Sequence, residues 1–202
     1  MKIGIIDIGL GNVRSVAKAI ETLGAGVDLL TDPRDLHKVD KIVFPGVGHF
    51  GEAVRKLEKL GFREELDIQV VQNEKLILGI CLGMQLLGEG SQEGAGRGLS
   101  YVAAGTTLLS ARQSRLPLPH VGWNDVIHSG MAMFRGIPTE TSFYFVHSYA
   151  MPENLPGILV AQCEYGLPFA AAFQSENVWA AQFHPEKSQK AGLKLLKNFI
   201  EA

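Results

Sequence analysis

A short apolar run from Lys75 to Ile80 leads into Gly79-Ile80-Cys81-Leu82-Gly83, and Gly83 to Leu87 then reads as the start of a helix. A bounded apolar run of this length has the pattern of a buried strand. One cysteine stands with a glycine at the second position on either side, the form of a nucleophile elbow. A β-carbon at either glycine would crowd so tight a strand-to-helix turn. The turn sets Cys81 at a helix N-terminus, where the positive end of the dipole favours a thiolate. The N–H of Leu82 then points where a substrate oxyanion would form. A lone cysteine in an apolar run is also an ordinary core residue, so a catalytic reading of Cys81 needs partners elsewhere.

The chain before the elbow alternates strand and helix. Lys2 to Ile8 is an isoleucine-rich strand followed by the turn Gly9-Leu10-Gly11-Asn12. Val13, Val16, Ala17, Ile20 and Leu23 share one face of a helix that stops at Gly24. Gly9-x-Gly11 alone is a weak dinucleotide signal, and no Gly-Lys-Ser/Thr follows to make a phosphate loop. Val27 to Thr31 and Lys41 to Phe44 are further strands, the latter ending in Pro45-Gly46-Val47-Gly48. Phe50, Val54, Leu57 and Leu60 line a second helix closed by Gly61, and a third covers Glu64 to Asn73. This alternation implies a parallel sheet flanked by helices, with sites at the carboxyl ends of its strands. Pro45 to Gly48 and Cys81 both fall at such ends, so they are candidate neighbours in space.

After a Gly-rich polar stretch, Gly88 to Gly98, read as a surface loop, the character changes. Tyr101 to Leu109, Asn124 to His128, Ser142 to Val146, Ile158 to Cys163, Phe169 to Phe173 and Val178 to Phe183 are short strand candidates. They predict a mostly antiparallel region added to the α/β half, closed by a helix from about Ser188. With 202 residues and no break in composition, the expectation is one domain spanning residues 1–202. A 46% hydrophobic, 20% charged chain of net charge −2 suggests neither nucleic acid nor a membrane as partner. No apolar run reaches the roughly 18 residues of a membrane span. Met1 to Asp7 lacks a signal-peptide pattern, and two distant cysteines fit a reducing cytoplasm.

The second half of a site is offered by Gln182-Phe183-His184-Pro185-Glu186-Lys187-Ser188, between a strand and a helix. His184 is a candidate base for Cys81, and Glu186 a candidate to orient it. Residues two apart in an extended segment project to one side, and Pro185 limits the freedom between them. A carboxylate on the far imidazole nitrogen fixes the tautomer and supports the imidazolium. Glu186 would also be favourable merely as an acidic residue near the start of the last helix.

These pieces together resemble the class I (triad) glutamine amidotransferases: Pro45-Gly46-Val47-Gly48, the elbow through Met84-Gln85, and Gln182 to Glu186. Within that family the resemblance is greatest to the glutaminase subunit of imidazole glycerol phosphate synthase, in the histidine pathway. It is carried by Gly11 to Val16, Pro45 to Gly51, His120-Val121-Gly122-Trp123-Asn124 and Tyr144-Phe145-Val146-His147-Ser148-Tyr149, and runs nearly end to end.

The resemblance implies the flavodoxin-like amidotransferase fold and a cytoplasmic glutaminase with no cofactor and no metal. Cys81, His184 and Glu186 would be catalytic, and Val47, Gly48 and Leu82 would surround the oxyanion. Gly48, Gln85, His147, Ser148 and Tyr149 would bind L-glutamine. Ammonia would pass to a (β/α)8-barrel cyclase in a heterodimer, with Asn12 and Trp123 facing that barrel. Two departures stand out. His49 occupies a position where a small residue is usual, and Gly88-Glu89-Gly90 lacks a bulky residue, which is expected to loosen the end of the elbow helix. A paralogue feeding ammonia to another synthase, such as one making amidino sugars, and a non-catalytic scaffold of the same fold are the alternatives.

Overall fold

A computed structural model describes residues 1–109 and 116–202. The first half alternates β1 (Lys2–Ile6), α1 (Val13–Thr22), β2 (Gly26–Leu30), β3 (Lys41–Gly46), α2 (Phe50–Leu60), α3 (Phe62–Leu66), β4 (Ile77–Cys81) and α4 (Leu82–Leu86). The second half supplies β5 (Gly90–Ser91), β6 (Gly105–Leu108), β7 (His120–Val126), β8 (Thr141–His147), β9 (Tyr149–Ala150), β10 (Leu159–Tyr165), β11 (Leu167–Ser175), β12 (Val178–Ala181) and the closing helix α5 (Gln189–Glu201).

Seven strands form the central sheet in the order β10-β11-β12-β4-β3-β1-β2. The four pairings from β12 to β2 are parallel, and β10-β11-β12 is an antiparallel extension. β7 and β8 pair antiparallel in a ribbon of their own. The expected mostly parallel α/β sheet with an antiparallel addition is thus the observed architecture.

Alternation along the strands explains the layers. Ile42 and Phe44 of β3 enter the core under α2 and α3, with Phe50, Val54, Leu57, Phe62 and Leu66. Val43 between them, with Leu78 and Ile80 of β4, faces the opposite core, where Val16 and Ile20 of α1 and Leu195 and Phe199 of α5 lie. Successive strand residues point to opposite faces, so a strand covered on both reads as one apolar run. Lys41 ties the last helix to the sheet by donating to the Phe199 and Ile200 carbonyls at 3.0 and 2.8 Å.

Several boundaries differ from expectation, each for a physical reason. Leu60 is 40% exposed, and Ala53 takes the inward position on α2 instead. The third helix begins at Phe62 and passes into a π-helical turn, Asp67–Gln72, closed by the Asn73 N–H on the Ile68 carbonyl at 3.0 Å. Residues 101–104, expected to open a strand, are not strand. Leu99, Tyr101 and Val102 donate their N–H groups to the Leu86 and Leu87 carbonyls, occupying acceptors the elbow helix leaves open at its end. Gly88 is buried here, and a β-carbon on it would lie 2.4 Å from the Ala104 carbonyl and 2.6 Å from Met151 Cε. The helix end is therefore closely clasped and not loosened, because Gly88 admits the backbone that covers it.

Candidate active site

β3, β4 and β12 are successive neighbours in the sheet, and their carboxyl ends hold the three segments singled out in the sequence. Cys81 is the last residue of β4 and the residue before α4, at φ 55°, ψ −111°. A non-glycine residue is seldom held there, and such strain concentrates at functional positions. The turn is possible because backbone meets backbone at both glycines. A β-carbon on Gly83 would lie 1.8 Å from the Phe44 carbonyl, and one on Gly79 would lie 2.9 Å from the Met84 nitrogen. Cys81 Sγ lies 3.7 Å from the Val146 carbonyl, and its residue is 6% exposed.

His184 and Glu186 converge beside it. His184 Nδ1 and Glu186 Oε1 are 2.9 Å apart, with side chains 3% and 1% exposed. The pairing arises differently from the expected extended segment. His184 is extended, but Pro185–Lys187 is a 3-10 turn that curls Glu186 back toward the ring. The turn is pinned by Ser188, whose hydroxyl donates to the His184 carbonyl at 2.7 Å and accepts the Tyr144 N–H at 3.0 Å. Gly192 lets α5 approach, since a β-carbon there would lie 1.9 Å from the Pro185 carbonyl. Glu186 is thus held by His184 and by the turn, not by the helix N-terminus. His184 Nε2 is buried without a hydrogen-bond partner among the described residues, leaving that nitrogen for a reacting group.

Burial disfavours the His184 imidazolium, but Cys81 and the Glu186 carboxylate outweigh it and raise its pKa to about 9. The folded value lies above the ordinary 6.5, so the stabilisation is complete below pH about 6.5 and is lost as pH rises through about 9. We expect denaturant stability to fall across that window, and to fall less in Glu186→Gln, which removes one source of the shift. Equal slopes in the two chains would contradict the assignment.

A small cavity of about 90 Å³ opens over the sulfur, lined by Val47, Gly48, Cys81, Leu82, Gln85, Glu93, Val146, His147, Ser148 and Tyr149. It brings together all the residues expected around the oxyanion and the glutamine. Gly48 sits at φ +108°, which favours glycine. The Val47 N–H donates to the Leu10 carbonyl at 3.3 Å, so in this state that donor is engaged within the chain. Gln85 donates through Nε2 to the Tyr149 carbonyl at 3.0 Å and to Gln182 Oε1 at 3.1 Å. Both its N–H groups are used, and its carbonyl oxygen is left for a ligand.

Glu93 was not foreseen. It lies in the stretch read as a surface loop, yet one carboxylate oxygen accepts the Phe50 N–H at 2.8 Å at the start of α2, and the residue lines the cavity. Nothing local in Gly88 to Gly98 distinguishes it from Glu89. His49 has an evident role in the same corner: its Nδ1 accepts the Gly51 N–H at 3.2 Å, capping α2. Its ring fits because residue 94 is glycine, where a β-carbon would lie 2.4 Å from His49 Cε1.

Asn12 and Trp123 lie outside the cavity. Asn12 accepts the Ser15 hydroxyl at 2.8 Å and lines a narrow gap with Pro45, Gly46, His184 and Glu186. Trp123 is 48% exposed on β7, edge-on to Tyr144, and Val121 on that strand and Ile127 just beyond it are each more than half exposed. Among the described residues no group of three or more His, Cys, Asp or Glu is arranged to hold a metal ion. No helix among them is long and apolar enough to cross a membrane.

The chain is similar to known proteins over almost all its length. The family described as glutamine amidotransferase class-I matches residues 4–202. Imidazole glycerol phosphate synthase subunit HisH 1 of Campylobacter jejuni (strain RM1221) is 44% identical over 200 residues, covering 98% of this chain and 98% of that protein. Subunit HisH 1 of Vibrio vulnificus (strain YJ016) is 47% identical over 206 residues, covering 99% and 98%. A crystal structure of a glutamine amidotransferase shares the fold with a TM-score of 0.78 at 17% identity, covering 98% of this chain and 97% of its own. With its elbow cysteine, its buried histidine–glutamate pair and this match from residue 4 to residue 202, the chain belongs to the class I glutamine amidotransferases.

Proposed function

We propose that this chain, acting as one domain over residues 1–202, is the cytoplasmic glutaminase subunit of imidazole glycerol phosphate synthase in histidine biosynthesis. The observation that supports this most is its 44–47% identity, at nearly full length on both sides, to subunits of that synthase. The buried His184–Glu186 pair beside Cys81 supports the chemistry.

His184 Nε2 takes the thiol proton of Cys81 as Sγ attacks the side-chain amide carbon of glutamine, and the carbonyl electrons move to oxygen. The Leu82 N–H and one donor from the Val47-Gly48 segment hold that oxyanion. When the tetrahedral intermediate collapses, the C–N bond breaks and His184 gives a proton to the leaving nitrogen, which departs as ammonia. Water, deprotonated by His184, then cleaves the thioester and releases glutamate, restoring the thiol. Glu186 keeps the His184 Nδ1–H directed away from the substrate throughout. Gln85 Oε1, Ser148 and Tyr149 hold the amino-acid end, and the Glu93 carboxylate offers a partner for its ammonium. Ammonia is channelled to a (β/α)8-barrel cyclase, which uses it to form imidazole glycerol phosphate and aminoimidazole carboxamide ribonucleotide. Asn12 and the exposed apolar side chains around Trp123 on β7 face that barrel.

The Val47–Leu10 bond supports a resting state of low activity, because one oxyanion donor is spent until the segment turns. Losing one such donor typically costs about 100- to 1,000-fold. The test is glutamate release from glutamine by the chain alone, and with the barrel cyclase and its ribonucleotide substrate. Stimulation of about 100-fold or more is the expected result. Full activity of the chain alone would refute the spent-donor reading, and activity indifferent to that cyclase would assign the chain to another acceptor synthase.

A further inference from the structure

Gln182 is fully buried, yet it is a polar side chain to which the proposed reaction gives no part. It lies in an unbroken line of hydrogen bonds. His120 Nδ1 is 3.1 Å from His147 Nε2, and His147 Nδ1 is 2.9 Å from the Tyr149 carbonyl. Gln85 Nε2 reaches the same carbonyl at 3.0 Å and Gln182 Oε1 at 3.1 Å, and Gln182 Nε2 reaches Cys81 Sγ at 3.7 Å.

The polarity of this line follows from one atom. A carbonyl oxygen only accepts. Both groups meeting the Tyr149 carbonyl must therefore donate, so Gln85 presents its NH2 and His147 carries its proton on Nδ1. Gln182 must then receive with Oε1, which leaves its NH2 on the sulfur. In a neutral His147 ring the bare Nε2 must receive, which puts the His120 proton on Nδ1. Burial pushes both rings well below the ordinary histidine value, His120 to about 4 and His147 to about 3, so neutral rings are what the site holds. His120 is further fixed by stacking on Phe145 at 4.9 Å and on Tyr165 at 4.0 Å.

We propose that Gln182 and His120 are positioning residues for the glutaminase reaction: Gln182 fixes the sulfur of Cys81 with an N–H, and His120, through His147, fixes the Tyr149 segment that holds the substrate. This rests on the glutaminase reading above. The two arms meet at Tyr149, so nucleophile and substrate wall are held to the same reference atom. A donor to the sulfur strengthens as charge grows on it, and a hydrogen bond to a charged group contributes more than a neutral one.

The test uses the full chain with its cyclase. Gln182→Glu keeps the shape and the acceptor for Gln85 but offers the sulfur an oxygen; we expect kcat to fall about 10- to 100-fold with KM within about threefold. Gln182→Met, which carries no charge, should lower kcat by a similar factor, with KM rising as well because Gln85 loses its acceptor. His120→Phe keeps the stacking but removes the donor; here KM for glutamine should rise about tenfold with a smaller change in kcat. A merely structural role would lower the active fraction and leave KM alone.

Two readouts need no turnover. Carbamidomethylation of Cys81 by iodoacetamide, followed by intact mass, should slow in both Gln182 variants; Cys163, with its thiol pushed up to about 12 by burial, is the unreactive control. Nitrogen-15 imidazole spectra at pH 7 should show Nδ1–H tautomers for His120 and His147. An Nε2–H tautomer at His147, or wild-type alkylation and kcat in Gln182→Glu, would overturn the proposal. Absence of glutamine hydrolysis by the wild-type complex would instead remove the glutaminase reading, and alkylation and tautomer would still decide the line of bonds.

Discussion

The Cys81→Ala chain is expected to release glutamate from glutamine at least about 10,000-fold more slowly than the wild type in the stimulated complex, with binding of the cyclase intact. Removing a nucleophile from a set that acts as a unit costs about as much as removing the whole set. No neighbour can substitute: Cys163 is buried within the antiparallel extension, and its thiol is held protonated. A companion variant separates chemistry from fold. Cys81 stands at φ 55°, where a β-carbon is strained whether it belongs to cysteine or alanine. Cys81→Gly should therefore be equally inactive but more stable than Cys81→Ala by about 1–3 kcal/mol. Measured by denaturant unfolding, equal stability of the two would show that the elbow stores no strain. Retained activity in either would end the thioester mechanism.

Gly83→Ala should be the most damaging single-methyl change at the elbow, with a loss of about 4 kcal/mol or more and failure to fold in part of the preparation. The sign is the informative part. Gly83 lies in α4, and alanine in a helix interior ordinarily stabilises by about 1 kcal/mol over glycine. Here its β-carbon would lie 1.8 Å from the carbonyl oxygen of Phe44, which belongs to the backbone of β3 and has no rotamer to change. β3 would have to separate from the elbow helix, and the Pro45-Gly46-Val47-Gly48 segment would move with it. Gly26→Ala is a suitable control, since its nearest neighbour would be the Met1 carbonyl at 3.7 Å. A Gly83→Ala chain within about 1 kcal/mol of wild type would mean that β3 and α4 are not packed backbone to backbone.

What the sequence announced was whatever short-range chemistry demands. Glycines two residues either side of Cys81 are required by a contact that no other residue fits, so the elbow was legible. The apolar faces of α1 and α2 were legible because their period matches the helix, although Leu60 was misassigned where Ala53 does the packing. His184 and Glu186 were visible as a pair, but the turn that joins them was not. Pro185 is compatible with an extended segment and with the start of a 3-10 turn, and only the contacts of Ser188 and Gly192 decide between them. Glu93 and Gln182 were illegible as site residues for another reason. Their partners lie 43 and 97 or more residues away, at Phe50 for the one and at Gln85 and Cys81 for the other. Likewise Tyr101 and Val102 look like the start of a strand because they are apolar, while their N–H groups are spent on the Leu87 carbonyl at the helix end.

The separate pairing of β7 with β8 has an evolutionary consequence. The bond-breaking residues sit at three adjoining strand ends of the seven-stranded sheet, whereas Val121 and Trp123 project from a ribbon whose ladder, among the described residues, joins only its own two strands, and which meets the catalytic turn through Tyr144. If the outward side of that ribbon faces the acceptor enzyme, as proposed above, substitutions along it would change which acceptor the chain serves and leave the elbow and the His184–Glu186 pair in place. On that reading an exchange of acceptor needs changes on the outward side of one hairpin and none at the three strand ends. Chimeras that transplant only the outward side chains at Val121 and Trp123 between relatives serving different synthases, keeping His120, Tyr144, Val146 and His147, are the natural place to look for transferred allegiance with unchanged chemistry.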